Sequence, residues 1–116
     1  MVRLENSEGS INISSEVFNY LVGDAATKCF GVRGMAMRSV TDGLVHLLKR
    51  ESMGKGVYIT YGEDSAISIE LHIIIDEGVN IPALCDSIRG EVAYKVTRAT
   101  GVTVKNVDIC IDSIIT

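Results

Sequence analysis

Tryptophan is absent from this chain of 116 residues, aromatic residues make up only 5% and there is a single proline. Ile, Val, Leu and Ala must therefore do most of the packing. The three cysteines, Cys29, Cys85 and Cys110, are widely spaced. They form no Cys-x-x-Cys pair, and no histidine stands at metal-ligand spacing from them, so the sequence argues against zinc and for no metal. Free cysteine usually behaves as a small buried hydrophobe, and a reducing compartment fits. An excess of basic residues is also missing. The net charge is −4, with both signs spread along the chain, which argues against general binding to a phosphate backbone. No apolar run approaches the roughly 20 residues that a membrane helix needs. Residues 1–9 carry no apolar signal-peptide core. The expectation is a cytoplasmic protein that reaches a membrane only through a partner or a surface patch.

Hydrophobic residues make up 47% of the chain, enough to build one core, and the length leaves no room for two ordinary ones. Two long segments dominate. Residues 66–76 alternate, with Ile67, Ile69, Leu71, Ile73 and Ile75 on one face and Ser68, Glu70 and His72 on the other. That is the period of a half-buried strand. Residues 80–101 repeat Ile81, Leu84, Ile88, Val92, Val96 and Ala99 at helical spacing. A helix laid across a sheet follows.

The remaining elements are shorter. Residues 1–9 read as a polar arm, followed by a single domain over residues 10–116. Ile11–Ile13 reads as a short strand. Ser14 or Ser15 caps a helix over residues 16–29, where Val17, Leu21, Ala25 and Cys29 recur with Phe18, Val22 and Ala26 beside them, and Gly31 ends it. A strand over residues 32–38 leads to a helix over 42–50, capped by Thr41. Gly54–Gly56 is a loop, 57–61 a strand and 62–65 a turn. Asn80 caps the long helix, Glu91 and Lys95 pair on its wet face, and Gly101 closes it. Residues 102–114 supply the last strand, with Val107, Ile109 and Ile111 opposite Asp108, Cys110 and Asp112. The order β-α-β-α-β-β-α-β predicts an α+β fold, a mixed sheet of about four strands with helices on one face. The other face carries Ser68, Glu70, His72, Asp108 and Asp112, and is wet or covered by a partner.

Four residues are candidates for binding or chemistry. Lys55, between Gly54 and Gly56, has the look of an anion cradle, but a strand rather than a helix follows and the Ser or Thr of a full phosphate loop is missing. A tight turn explains it better. Glu70 and His72 share a strand face and form a conceivable acid–base pair. No nucleophile accompanies them, and an exposed polar face explains both. Gly31-Val32-Arg33-Gly34 has the spacing of the backbone clamp in KH-type RNA-binding domains, with Arg33 basic. KH domains place that loop between two helices, and here it runs from a helix into a strand. A small RNA-binding module using this turn is the alternative reading. Met35, Met37 and Met53 fit core packing better than an adaptable contact surface. His46 reads as structural or solvated.

Taken in order, several of these pieces resemble the alkaline shock protein family, the envelope stress response proteins of Gram-positive and related bacteria. They are residues 9–17, Ala25-Ala26, 31–35, 54–57, Val79-Asn80-Ile81-Pro82, Thr100-Gly101-Val102 and residues 104–111. The resemblance spans about residues 9–114. It implies a small α+β domain that is not an enzyme, has no catalytic residues and needs no cofactor. It further implies work in cell envelope homeostasis through protein partners, among them a small membrane-anchored protein, and self-association.

Overall fold

The computed structural model describes residues 1–38 and 43–116. The chain opens with two strands, β1 (Val2–Asn6) and β2 (Gly9–Ile13), then helix α1 (Ser15–Thr27) and strands β3 (Val32–Arg38) and β4 (Val45–Leu47). A 3₁₀ segment, Arg50–Gly56, leads to β5 (Val57–Tyr61), β6 (Ile67–Asp76), helix α2 (Ile81–Thr100) and β7 (Val104–Ile115). Helices and a mixed sheet make the fold α+β, as the periodicities predict.

β6 is the axis of the main sheet. It pairs in parallel with β7 along its whole length. Its other edge is shared end to end by β5, opposite Ile67–Leu71, and β3, opposite Ile73–Ile75, both antiparallel. β4 adds to β3, so among the described residues the sheet has five strands rather than about four. Among the described residues β7 has no strand on its outer edge.

The alternation of β6 works as read. Ile67, Ile69, Leu71, Ile73 and Ile75 are all buried, and they pack in one core with Phe18 and Val22 of α1 and Leu84, Ile88, Val92 and Val96 of α2. The helix stripes shift slightly. On α2 the first and last members of the expected stripe, Ile81 and Ala99, are exposed. On α1 the buried stripe is Phe18, Val22, Ala25 and Ala26, while Val17 is exposed and Leu21 half-buried. Met35 and Met53 are core residues.

The caps differ in kind. Asn80 accepts a hydrogen bond from the Ala83 amide at 3.1 Å, and Gly101 takes the left-handed conformation with φ 75°. Ser14 stands at the start of α1, but its side chain makes no capping bond; only its carbonyl accepts from Val17. Gly31 has φ 101°, yet α1 ends earlier, with Lys28 as its last cap.

Three expectations are corrected. The helix over residues 42–50 does not form: Val45–Leu47 is a strand, antiparallel to Ala36–Arg38. The start of that helix, Thr41 and Asp42, lies outside the described residues. Leu44, Val45, Leu47 and Leu48 are a short apolar run that fits either period, and pairing with the free edge of β3 decides it. Residues 54–56 are the end of the 3₁₀ segment rather than a plain loop. The polar stretch 1–9 is also more ordered than its composition implies. Val2–Asn6 pairs with Gly9–Ile13 as a hairpin, and Val2 is buried against the core.

Candidate functional site

The face of β6 turned away from the helices carries the candidate residues Glu70 and His72, and β7 adds neighbours to them. Glu70 and His72 are two residues apart on β6 and so share that face. The parallel register sets Glu70 opposite Asp108 and His72 opposite Cys110. After Ile73–Ile111 the register shifts, and Asp112 is left without a Cα partner on β6. Asp112 turns to His72: Nδ1 lies 2.9 Å from Oδ2 and 3.1 Å from Oδ1. The other ring nitrogen, Nε2, lies 3.0 Å from Glu70 Oε2. Tyr58 of β5 stands edge-on to the imidazole, with ring centroids 5.5 Å apart. Further along the same face, Ser68 Oγ donates to Asn106 Oδ1 at 2.8 Å, and Asn106 Nδ2 donates to Asp108 at 3.3 Å.

The electrostatics of this patch are set by its carboxylates. Partial burial lowers the His72 pKa, but the hydrogen bonds and charges of Glu70 and Asp112 outweigh it, and the net shift is upward. An imidazolium donates from both nitrogens, which matches two acceptor-only partners. The Cys110 thiol is pushed up by burial and by Glu70, Asp112 and Asp108. One ligand atom each from Glu70, His72 and Cys110 lies within 4.8 Å of the others.

The other candidates are placed elsewhere. Arg33 is on β3 and forms a two-contact ion pair with Asp76 of β6, at 2.9 Å from Nε and 2.8 Å from Nη2. Gly34 is buried in the same strand, where an added Cβ would stand 2.8 Å from Leu47 Cδ1. Backbone in that setting is not free to clasp a nucleotide, so the turn lacks the form that the RNA-binding reading requires. Lys55 is exposed in the last turn of the 3₁₀ segment. The glycines around it are explained by packing: a Cβ on Gly56 would meet the Ala36 carbonyl at 2.8 Å, and one on Gly54 would meet Asn19 at 3.2 Å. His46 is an exposed strand residue opposite Met37.

One cluster escapes a reading by residue pattern. Asp24 of α1 is buried, and it binds Lys28, Arg50 and Lys95, drawn from α1, the 3₁₀ segment and α2. Only the spacing of Asp24 and Lys28 is visible in the sequence. Lys95, expected to serve Glu91 on a wet helix face, reaches the neighbouring helix.

A helix-backed α+β sheet with one polar face defines the class of small domain to which this chain belongs. Residues 3–116 match the model of the alkaline shock protein 23 family, described as having a cell envelope-related function, and the chain belongs to that family. It is 32% identical to the uncharacterised protein YloU of Bacillus subtilis (strain 168) over 114 residues, which cover 97% of this chain and 94% of that one. It is 31% identical to the uncharacterised protein Spy1614 of Streptococcus pyogenes serotype M6, over 97% of this chain and 93% of that one. Among solved structures, the manganese form of a MamM CTD variant aligns with TM-score 0.56 and 16% identity, over 86% of this chain and 99% of that one. A second MamM CTD variant aligns with the same score and identity. At that identity the likeness is one of fold. No helix among the described residues is long and apolar enough to cross a membrane.

Proposed function

We propose that this protein is a non-enzymatic interaction module that serves the cell envelope by holding protein partners together at the inner face of the membrane. The observation that carries this reading is the outer edge of β7, a strand of twelve residues that pairs with β6 on one side and, among the described residues, with no strand on the other. Unpaired N–H and C=O groups along an edge are a template for another chain. Family membership supports the envelope setting, and the polar face beside the edge supplies charge for selecting a partner. The partners in this reading are a second copy of the chain and a small membrane-anchored protein, which would tether a domain whose described residues include no helix long and apolar enough to cross a membrane.

The test is a native pull-down of the tagged protein from its host after gentle solubilisation of membranes. The reading predicts recovery of a small integral membrane protein, lost when Tyr58 and Asp108 on the exposed face are replaced. A soluble enzyme complex or RNA recovered without any membrane protein would overturn it. So would a specific turnover abolished by His72→Ala.

A further inference from the structure

We infer that Glu70, His72 and Cys110 form a binding site for a divalent cation of the zinc class, with Asp112 holding the imidazole in place. Nitrogen, thiolate sulfur and carboxylate oxygen together are the donor set of a borderline-soft ion, and they discriminate against magnesium and calcium, which take oxygen.

The nitrogen and oxygen donors stand close to the spacing of a filled site, and the thiol is near them. Tetrahedral zinc bonds of about 2.0–2.2 Å to nitrogen and oxygen place those two atoms roughly 3.4 Å apart, and about 2.3 Å to sulfur places N and S roughly 3.6 Å apart. His72 Nε2 and Glu70 Oε2 now lie 3.0 Å apart, and all three ligand atoms lie within 4.8 Å of one another. An ion entering between Nε2 and Oε2 needs a few tenths of an ångström from that pair, and the Cys110 thiol closes on it from the facing strand. Two ligands ride on one rigid strand at i and i+2, and the third is the cross-strand neighbour of His72. The scaffold is therefore preorganised by the sheet.

The second layer is also present. A ligating histidine nearly always gives its other ring N–H to a carboxylate or carbonyl, which fixes the tautomer and turns the free nitrogen to the metal. Asp112 does this at Nδ1, which leaves Nε2 for the ion. One thiolate and one carboxylate neutralise a dication, and Asp108 and Asp112 add negative potential around it. Glu70 is exposed, so water can take the fourth position. Sequence spacing argues against zinc because it looks for ligands along one segment; here they come from two strands, 38 residues apart at His72 and Cys110.

The experiment uses the reduced, metal-free chain, titrated with zinc by calorimetry and with cobalt by absorbance. One equivalent should bind, with a thiolate-to-cobalt charge-transfer band. Cys110→Ser should abolish that band, whereas Cys29→Ser and Cys85→Ser should keep it. Glu70→Gln and His72→Gln should each weaken zinc by at least about tenfold, and Asp112→Asn by about 10- to 100-fold. The wild-type melting temperature should rise with zinc and not with magnesium. This last measurement stands even where a variant does not fold. A wild-type protein without the band, a band that survives Cys110→Ser, or a melting temperature indifferent to zinc would each overturn the assignment. Weak binding equal in all variants would identify adventitious surface coordination and overturn it too.

Discussion

His72 of β6 and Asp112 of β7 meet at 2.9 Å because the parallel ladder slips after Ile73–Ile111 and leaves Asp112 over. With Glu70 on the other ring nitrogen, the imidazole is clamped between two carboxylates, one on its own strand and one on the next.

That clamp ties stability to pH. The folded-state pKa of His72 is raised above its ordinary value of 6.5. Its contribution is therefore fully present below about pH 6.5 and is lost as the pH rises through the folded value. In the metal-free protein, His72→Gln and Asp112→Asn should lower the melting temperature at pH 6 and have much less effect at pH 9. A titration of the His72 ring by NMR should give a midpoint above 6.5, and a midpoint at or below that value would refute the clamp.

Asp24 should matter more than any of its partners. It is buried, whereas the side chains of Lys28 and Arg50 are largely exposed. Removing the carboxylate strips three cations of their acceptor and leaves an imperfect fit between α1, α2 and the 3₁₀ segment. Asp24→Ala should cost about 1.5–3 kcal/mol, the range for hydrogen bonds to charged groups. Lys28→Ala or Arg50→Ala should each cost under about 1 kcal/mol, as exposed pairs do. Urea unfolding of the three variants checks the ranking.

The helical stripe on α2 makes a sharper contrast than its periodicity implies. Ile88 is fully buried and Ile81 is 40% exposed, although both belong to the expected stripe. Ile88→Ala should cost about 2–5 kcal/mol, and Ile81→Ala about 0.5 kcal/mol or less. Equal losses in thermal unfolding would show that the register of α2 on the sheet is wrong.

Gly56 separates the two readings of the turn around Lys55. If the glycine is there for packing, Gly56→Ala must push a Cβ against the Ala36 carbonyl at 2.8 Å. A loss of about 1–3 kcal/mol in unfolding free energy is expected, typical of overpacking, while Lys55→Ala should leave stability nearly unchanged. An anion cradle would instead show phosphate-dependent stabilisation of the wild type that Lys55→Ala removes.

Much of this was legible in the chain. The period of two over Ile67–Ile75 and the i, i+4 run Leu84, Ile88, Val92, Val96 determined the long strand, the long helix and the faces that meet, because burial of one face rewards only one period. Asn80 and Gly101 marked the ends of α2 through backbone groups that the helix itself leaves unpaired. Glu70 and His72 were placed on one polar face by alternation alone. Tertiary structure decided the rest. A short apolar run such as Leu44–Leu48 has no period of its own, and the open edge of β3 made it a strand. The N-terminal hairpin followed from pairing that polar composition does not announce. Alternation also put Asp112 on that face, but its meeting with His72, the place of Cys110 beside His72, and the reach of Arg50 and Lys95 to Asp24 were settled by register and helix packing, through contacts between residues far apart in the chain.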